Sequence, residues 1–354
     1  MTESYNFENF SCPLPASHPD AVILGHGSGG SLTSGLIRQV FNKYFHSDAL
    51  MQGNDAANLA LPAGTGRIAV TTDSHIVSPL FFPGGDIGKL AVCGTVNDLL
   101  TAGAVPRWLT AGFILEEGFP IERLELVLAS MRDSAAEAGV EIVTGDTKVV
   151  ERGKGDGLFI NTSGVGTIPD GFQPGGANAQ PGDAVILSGT LGDHGMAVFC
   201  ARGELGIQAD ITSDVAPLNA IVDALRSAAP HTHVLRDPTR GGLSTALNEI
   251  AEQSNVTIEL NEASIPIRSE VASVCEMLGF DPLTVANEGK LIIIVPDAEK
   301  EAALNVIRQA PYGAQVALIG RVTTAGKPLV TLRTALGTHR ILDRLSGEML
   351  PRIC

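Results

Sequence analysis

Between Gly171 and Gly182 the chain reads Gly-Phe-Gln-Pro-Gly-Gly-Ala-Asn-Ala-Gln-Pro-Gly, four glycines and two prolines set between two apolar runs. Neither a helix nor a strand tolerates that density of breakers, so the chain has to fold as two units joined there. A length of 354 residues agrees, because a single hydrophobic core stops growing well before that size. We read residues 1–20 as an N-terminal extension, 21–170 as a first domain, 171–182 as a linker, 183–334 as a second domain and 335–354 as a flexible tail.

Periodicity predicts the elements on either side. Leu36, Ile37, Val40, Phe41 and Tyr44 recur at helical spacing within 31–45. RIAVTTD (67–73) and VEIVTGD (140–146) read as strands ending in an aspartate, and 86–102 and 121–138 read as helices. In the second half DAVILSG, VTIEL, KLIIIV and AQVALIG read as strands, with helices from Met196 and over 243–253, 269–278 and 298–309. Both halves are therefore α/β or α+β.

Composition narrows the function. Thirty-nine acidic against 24 basic residues give a net charge of -15, which argues against a nucleic-acid partner. No apolar run approaches the roughly 20 residues of a membrane helix, and the first residues carry neither a basic region nor an apolar core. A cytoplasmic protein is expected. The five cysteines, Cys12, Cys93, Cys200, Cys275 and Cys354, form no CxxC pair, so neither a zinc knuckle nor a disulfide framework is expected. Cys93 and Cys275 sit in helical patterns and read as core.

Chemistry is expected where strands meet loops. Gly25-His-Gly-Ser-Gly-Gly30 is formally a GxGxxG, and Gly27, Gly29 and Gly30 would let backbone N–H groups approach a phosphate. A dinucleotide fold would need a buried second strand after the following helix, and none is evident. An ordinary glycine-rich turn is the alternative. Asp55, Asp73, Asp98 and Asp146 share a domain with little basic company beyond Lys148. Carboxylates that converge repel one another, and magnesium relieves that repulsion while leaving positions for phosphate oxygens. Taken singly, each aspartate reads equally as a helix cap or turn acceptor. His26 and His75 read as phosphate contacts, as acid-base groups or as plain loop histidines. Arg236 and Arg240 flank Asp237-Pro-Thr and precede a glycine pair, an anion site or a turn whose arginines pair with surface acids. Glu288, in Asn287-Glu-Gly-Lys290, reads as a base or as the partner of Lys290. Cys354 closes the sequence after Pro351-Arg352-Ile353, either a carrier thiol on a tether or an incidental residue at a frayed end.

The strings TTDSHIVSPLFFPGGDIGKLAVCGTVNDLLTAGAVPRW, VTGDTKVVERGKGDGLFINTSGVG, LGDHGMAV, RDPTRGGLSTALNEIA, FDPLTVANEGK and the final PRIC, in this order from about Ala21 to Cys354, closely resemble the hydrogenase maturation factor HypE family. That family is related to aminoimidazole ribonucleotide synthetase and selenophosphate synthetase. The resemblance implies a two-domain fold in which the N-terminal domain binds ATP and builds a barrel across a homodimer, a C-terminal α/β domain closes over the nucleotide, and the tail is mobile. It implies ATP-dependent dehydration of a carbamoyl group carried as a thiocarbamate on Cys354, giving a thiocyanate whose cyanide goes to the iron of the [NiFe]-hydrogenase centre. Its implied partners are the HypF carbamoyltransferase and a HypC-HypD iron scaffold. By the same resemblance Asp55, Asp73 and Asp98, with Asn97, would hold Mg2+ and ATP, and Lys148 and Glu288 would surround the thiocarbamate, while the loop glycines Gly27, Gly29 and Gly30, His75 and Asp146 are the further nucleotide-binding candidates read from the residues themselves. A selenophosphate-synthetase-like enzyme using Cys12, or a non-enzymatic carrier of the Cys354 group, remains the alternative.

Overall fold

A computed structural model describes residues 20–23, 26, 31–45, 47, 61, 66–203, 205–207, 209–344, 350 and 352–354. The first domain opens with α1 (Ser31–Gln39), shorter than the predicted helix because a 3-10 turn over Phe41–Lys43 completes it. A 3-10 turn repeats apolar residues at nearly the same interval, so the pattern alone does not separate the two. β1 (Arg67–His75) is followed by the two-residue strands β2 (Phe81–Phe82) and β3 (Gly85–Asp86) and by α2 (Ile87–Thr101). Then come β4 (Val105–Glu116), α3 (Ile121–Ala138), β5 (Glu141–Val150) and β6 (Leu158–Ile168). β4 and β6 escaped the sequence reading. Their alternation is regular once seen, since Leu109, Ala111, Phe113 and Leu115 of β4 are all buried.

These strands form one sheet in the order β1-β6-β4-β5. α2 and α3 cover one face, and Gly88 makes their approach possible, because a Cβ there would lie 2.5 Å from the Val127 carbonyl oxygen. The other face stays open and partly apolar, with Ile68, Val70 and Ile114 exposed. Twelve of the fifteen α2 residues are buried. An amphipathic helix would leave one side wet, and α2 does not, because the second domain packs on the side that the first sheet leaves free.

The second domain contains β7 (Ala184–Leu187), α4 (Asp193–Arg202), α5 (Asn219–Ala228), β8 (Val234–Arg236), α6 (Gly242–Ser254), β9 (Val256–Asn261), α7 (Ser269–Leu278), β10 (Ile292–Val295), α8 (Lys300–Gln309), β11 (Ala317–Ala325), β12 (Leu329–Arg333) and β13 (His339–Ile341). Its seven-stranded sheet runs β13-β12-β9-β11-β7-β10-β8. Every residue of β7 and β10 is buried, as their unbroken apolar sequences AVIL and IIIV require of strands covered on both faces. Ile186 and Ile293 pack with α5, α8 and the first domain in one continuous core. Val185 and Ile292 point the opposite way, towards Leu243, Leu247 and Ile250 of α6. α4 begins at Asp193, three residues before its predicted start at Met196, with Gly195 tight against Val285. Residues 339–341, expected within the tail, instead form the edge strand β13.

One side chain ties the domains together. Asn97 of α2 donates from Nδ2 to the carbonyls of Ala216 (3.0 Å) and Glu288 (3.2 Å), and its Oδ1 accepts from the Leu218 N–H (3.0 Å). Replacing Asn97 with Ala leaves buried backbone groups unpaired. The loss should be about 1–3 kcal/mol, read as a lower thermal unfolding midpoint, and an unchanged midpoint would show that the domains hold without this clasp.

Candidate active site

The two-residue repeat of a strand puts Thr71, Asp73 and His75 of β1 on the face that meets α2. Asp98, one residue beyond Asn97, turns about a third of the way round the helix and faces that strand, where its Oδ2 accepts from Thr71 Oγ1 at 2.9 Å. Gly94, one turn earlier, leaves room for the strand's polar groups: a Cβ there would lie 3.1 Å from His75 Cε1 and 3.6 Å from Asp73 Oδ2. Asp73 Oδ2 stands 3.7 Å from His75 Nε2, and its Oδ1 accepts from the Ser74 N–H. His75 is 1% exposed, and neither of its ring nitrogens has a hydrogen-bond partner. Burial lowers its pKa, with Asp73 opposing and Arg240 reinforcing, so the ring is neutral.

The second domain supplies the rest. Glu288 sits in the loop before β10, and Asp214 holds that loop in shape by accepting from the N–H groups of Glu288 and Gly289, both at 3.2 Å. Gly289 is obligatory, since a Cβ there would lie 1.8 Å from the Asp214 carbonyl oxygen. Lys290 pairs with Asp214 at 3.3 Å, not with Glu288, which resolves one of the two sequence readings. Glu288 is therefore left without a cation: it is 5% exposed, and its Oε1 has no partner. Of the two arginines beside Asp237, Arg236 pairs with Glu249 at 2.9 Å, as the surface-acid reading expected. Arg240 is exposed, and its charge acts on His75 and Cys354.

The tail lies inside the cleft between the domains. Ile353 is 4% exposed within the main core, and Cys354 packs against that core close enough to Glu288 for the carboxyl group to raise its thiol pKa. Residues 352–354 run antiparallel to 76–78, with the Ile76 N–H donating to the Cys354 carbonyl (3.2 Å) and the Ser78 N–H to that of Arg352 (3.1 Å). The incidental-end reading fails on this burial.

Crowded acids dominate the electrostatics. Burial, followed by repulsion from Asp237, Asp214, Asp73 and Asp98, holds the Glu288 carboxyl well above the usual range. Burial and Asp237 push Asp98 up to about 7, against the Thr71 hydrogen bond. Asp237 is raised as well, by burial first. The docked Cys354 thiol is driven upward by burial and Glu288, with Arg240 opposing, so its thiolate is suppressed in this position.

Of the predicted residues, Asp73, His75, Asp98, Glu288 and Cys354 converge here. Gly27, Gly29, Gly30 and Asp55 lie outside the described residues. Asn97, expected beside ATP, is 2% exposed and faces protein backbone on both its donor and acceptor atoms, so its position is structural. Asp146 and Lys148 lie on β5, the sheet edge away from β1, and pair with each other at 2.8 Å, which lowers the Asp146 pKa. Lys148 is not among the charges that weigh most on Glu288 or Cys354. Among the described residues no group of three metal-ligating side chains is preassembled, although Asp73, Asp98 and Asp237 act on one another. Sequence reasoning missed Asp214, whose only signal was an acid between Thr212-Ser213 and the apolar Val215-Ala216, and it left Asp237 among the arginines without a role.

Residues 53–168 match the AIR synthase related protein N-terminal domain, and 180–333 match the corresponding C-terminal domain. The carbamoyl dehydratase HypE of Cupriavidus necator is 53% identical over 333 residues, covering 94% of this chain and 95% of that protein. A crystal structure of the hydrogenase maturation protein HypE in complex with ATP superposes with a TM-score of 0.90 at 50% identity, covering 94% of this chain and 99% of the other. HypE in a HypE-HypF complex superposes at 0.77 with 50% identity, covering 88% and 99%. Two matched domains in this order, and identity over nearly the whole length, place the chain in the HypE carbamoyl dehydratase family, within the AIR synthase related proteins.

Proposed function

We propose that the chain uses ATP to dehydrate a carbamoyl group carried on Cys354, and that Glu288 is the base. The observation that carries this reading is the placement of the Cys354 sulfur against a buried carboxyl group whose Oε1 is unpartnered. A thiocarbamate oxygen is a poor leaving group. Transfer of the ATP γ-phosphoryl group to that oxygen, with loss of one nitrogen proton, makes it a phosphate ester. Loss of the second proton as phosphate departs leaves S–C≡N. A carbamoyl group on the Cys354 sulfur would carry its amide nitrogen, one carbon beyond that sulfur, towards the Glu288 carboxyl group whose Oε1 is unpartnered. The relative solved with ATP supports the nucleotide, and the match to full-length carbamoyl dehydratases supports the reaction.

A base must be ionised, and burial first, with the surrounding acids adding to it, keeps Glu288 protonated. Carboxylates that raise one another in this way fit a hard divalent cation, and Asp73, Asp98 and Asp237 are the groups that would hold Mg2+ here, with Asp55 as the further ligand the resemblance implies. When bound, the cation would supply charge neutralisation and phosphate binding. With that negative charge balanced, the part of the Glu288 shift that comes from the neighbouring carboxylates would be relieved, which would favour proton acceptance.

The suppressed thiolate of the docked tail also means that sulfur is loaded elsewhere. We read the HypF carbamoyltransferase as the loading partner, on the strength of the HypE-HypF relative, with cyanide passing to a HypC-HypD scaffold. The open apolar face of the first sheet fits a homodimer closed as a barrel, and Lys148 on the edge strand β5 would then act from beside that interface. A reducing cytoplasm suits four described cysteines that are all free thiols.

Three outcomes test this reading. Glu288→Gln should load carbamoyl normally yet dehydrate at least about 100-fold more slowly, seen as a carbamoyl adduct that persists in the intact mass after ATP is added; normal water loss would remove Glu288 as the base. Asp98→Asn should abolish ATP turnover while stabilising the metal-free protein. A carboxyl group raised in the folded state favours folding at low pH, and that advantage is lost between its ordinary value of 3.8 and about 7. The melting-point gain of the variant should therefore grow over that interval and level off above it. Val70→Asp, on the open sheet face, should convert a dimer to a monomer in sedimentation, and a variant that stays dimeric would place the interface elsewhere.

A further inference from the structure

The reading of Cys354 as carrier leaves open what fixes the sulfur once the tail has docked. Ile353, the residue before it, turns its carbonyl oxygen to His194 Nε2 at 2.8 Å. His194 is fully buried on α4, with the Phe82 ring edge-on at 5.4 Å between centroids. A carbonyl oxygen can only accept, so Nε2 carries the proton. Burial lowers the pKa of the ring, so His194 is neutral and its Nδ1 must accept. The Ser213 hydroxyl lies 2.8 Å from Nδ1, and its own oxygen accepts from the Val215 N–H at 3.1 Å, leaving its single hydrogen for the ring. The chain from the Val215 N–H through the Ser213 hydroxyl to His194 thus runs in one direction and ends on the tail.

A second donor reinforces it. Arg202, also on α4, donates from Nε to the Ser78 carbonyl at 2.9 Å and from Nη2 to the Arg352 carbonyl at 2.9 Å, bridging the tail and the segment that follows β1. These contacts read only main-chain oxygens, and Ile353 supplies the buried anchor. Arg352 holds φ at +56°, a left-handed conformation unusual for a residue with a side chain, while its guanidinium bonds the Ile76 carbonyl and pairs with Asp156. When the tail leaves, the His194 N–H loses its acceptor, a state that favours return.

We propose that His194, oriented by Ser213 and assisted by Arg202, is a positioning residue that holds the docked tail in register so that the group on Cys354 meets Glu288. This rests on the dehydratase reading for its consequence and on geometry for its mechanism, and the two separate experimentally. With the full-length protein free of ATP, alkylation of Cys354 by iodoacetamide is followed at the peptide level, with buried Cys93 and Cys275 as internal controls of folding. His194→Leu should speed Cys354 labelling up to about tenfold, the worth of one hydrogen bond, with the controls unchanged. His194→Gln, which keeps an amide donor, should recover part of the protection, and Ser213→Ala should give a smaller increase in the same direction. In the coupled assay His194→Leu should load carbamoyl as well as the parent and then lose water more slowly. Cys354 labelling at the parental rate in both His194→Leu and Ser213→Ala would overturn the proposal; Ser213→Ala decides the matter if His194→Leu does not fold. Faster labelling, in a protein whose parent never dehydrates the group, would retain the latch and sink the dehydratase reading.

Discussion

The clasp made by Asn97 fixes α2 against the backbone of the second domain. Its amide joins α2 to the Ala216 and Leu218 backbone on one side and to the Glu288 backbone on the other. The next residue, Asp98, is therefore held at a fixed offset from Glu288, although the two come from different domains. A helix buried on nearly all sides cannot slide, because each of its faces is already filled by close-packed neighbours. The carboxylates meet because packing forces them together against their own repulsion.

That repulsion gives the site its chemistry. Asp98, Asp237 and Glu288 are all raised, burial being the largest cause each time. Acids perturbed in this way by burial and by one another are a common mark of a functional site. The docked thiol is subject to the same surroundings, and burial and Glu288 favour its protonated form.

Much of this was legible before the fold was known. The breaker-rich segment 171–182 lies between the two sheets, which span 67–168 and 184–341. Asp73, Asp98, Glu288 and Cys354 were all singled out from motifs, although β1 runs on to His75 beyond Asp73 and Asp98 lies within α2, so that neither side chain is presented by a loop as expected. Asn97 was misjudged because adjacent residues on a helix point about 100° apart, and nothing local says which one faces solvent and which faces another domain. His194 and Asp214 left almost no trace, because their roles consist of contacts with Ile353 and with the Glu288–Gly289 backbone, distant along the chain.

The sequence by itself determined two α/β units, the acids available to them and a thiol beside Pro351-Arg352-Ile353, because periodicity, breakers and residue type are local properties that survive without a fold. Tertiary structure alone decided that the thiol rests inside the cleft, that Lys290 pairs with Asp214 and leaves Glu288 without a cation, and that the His194 ring reads the tail. Each of those outcomes depends on desolvation and on distances between groups far apart in the chain, and both are created only when the two domains close on α2.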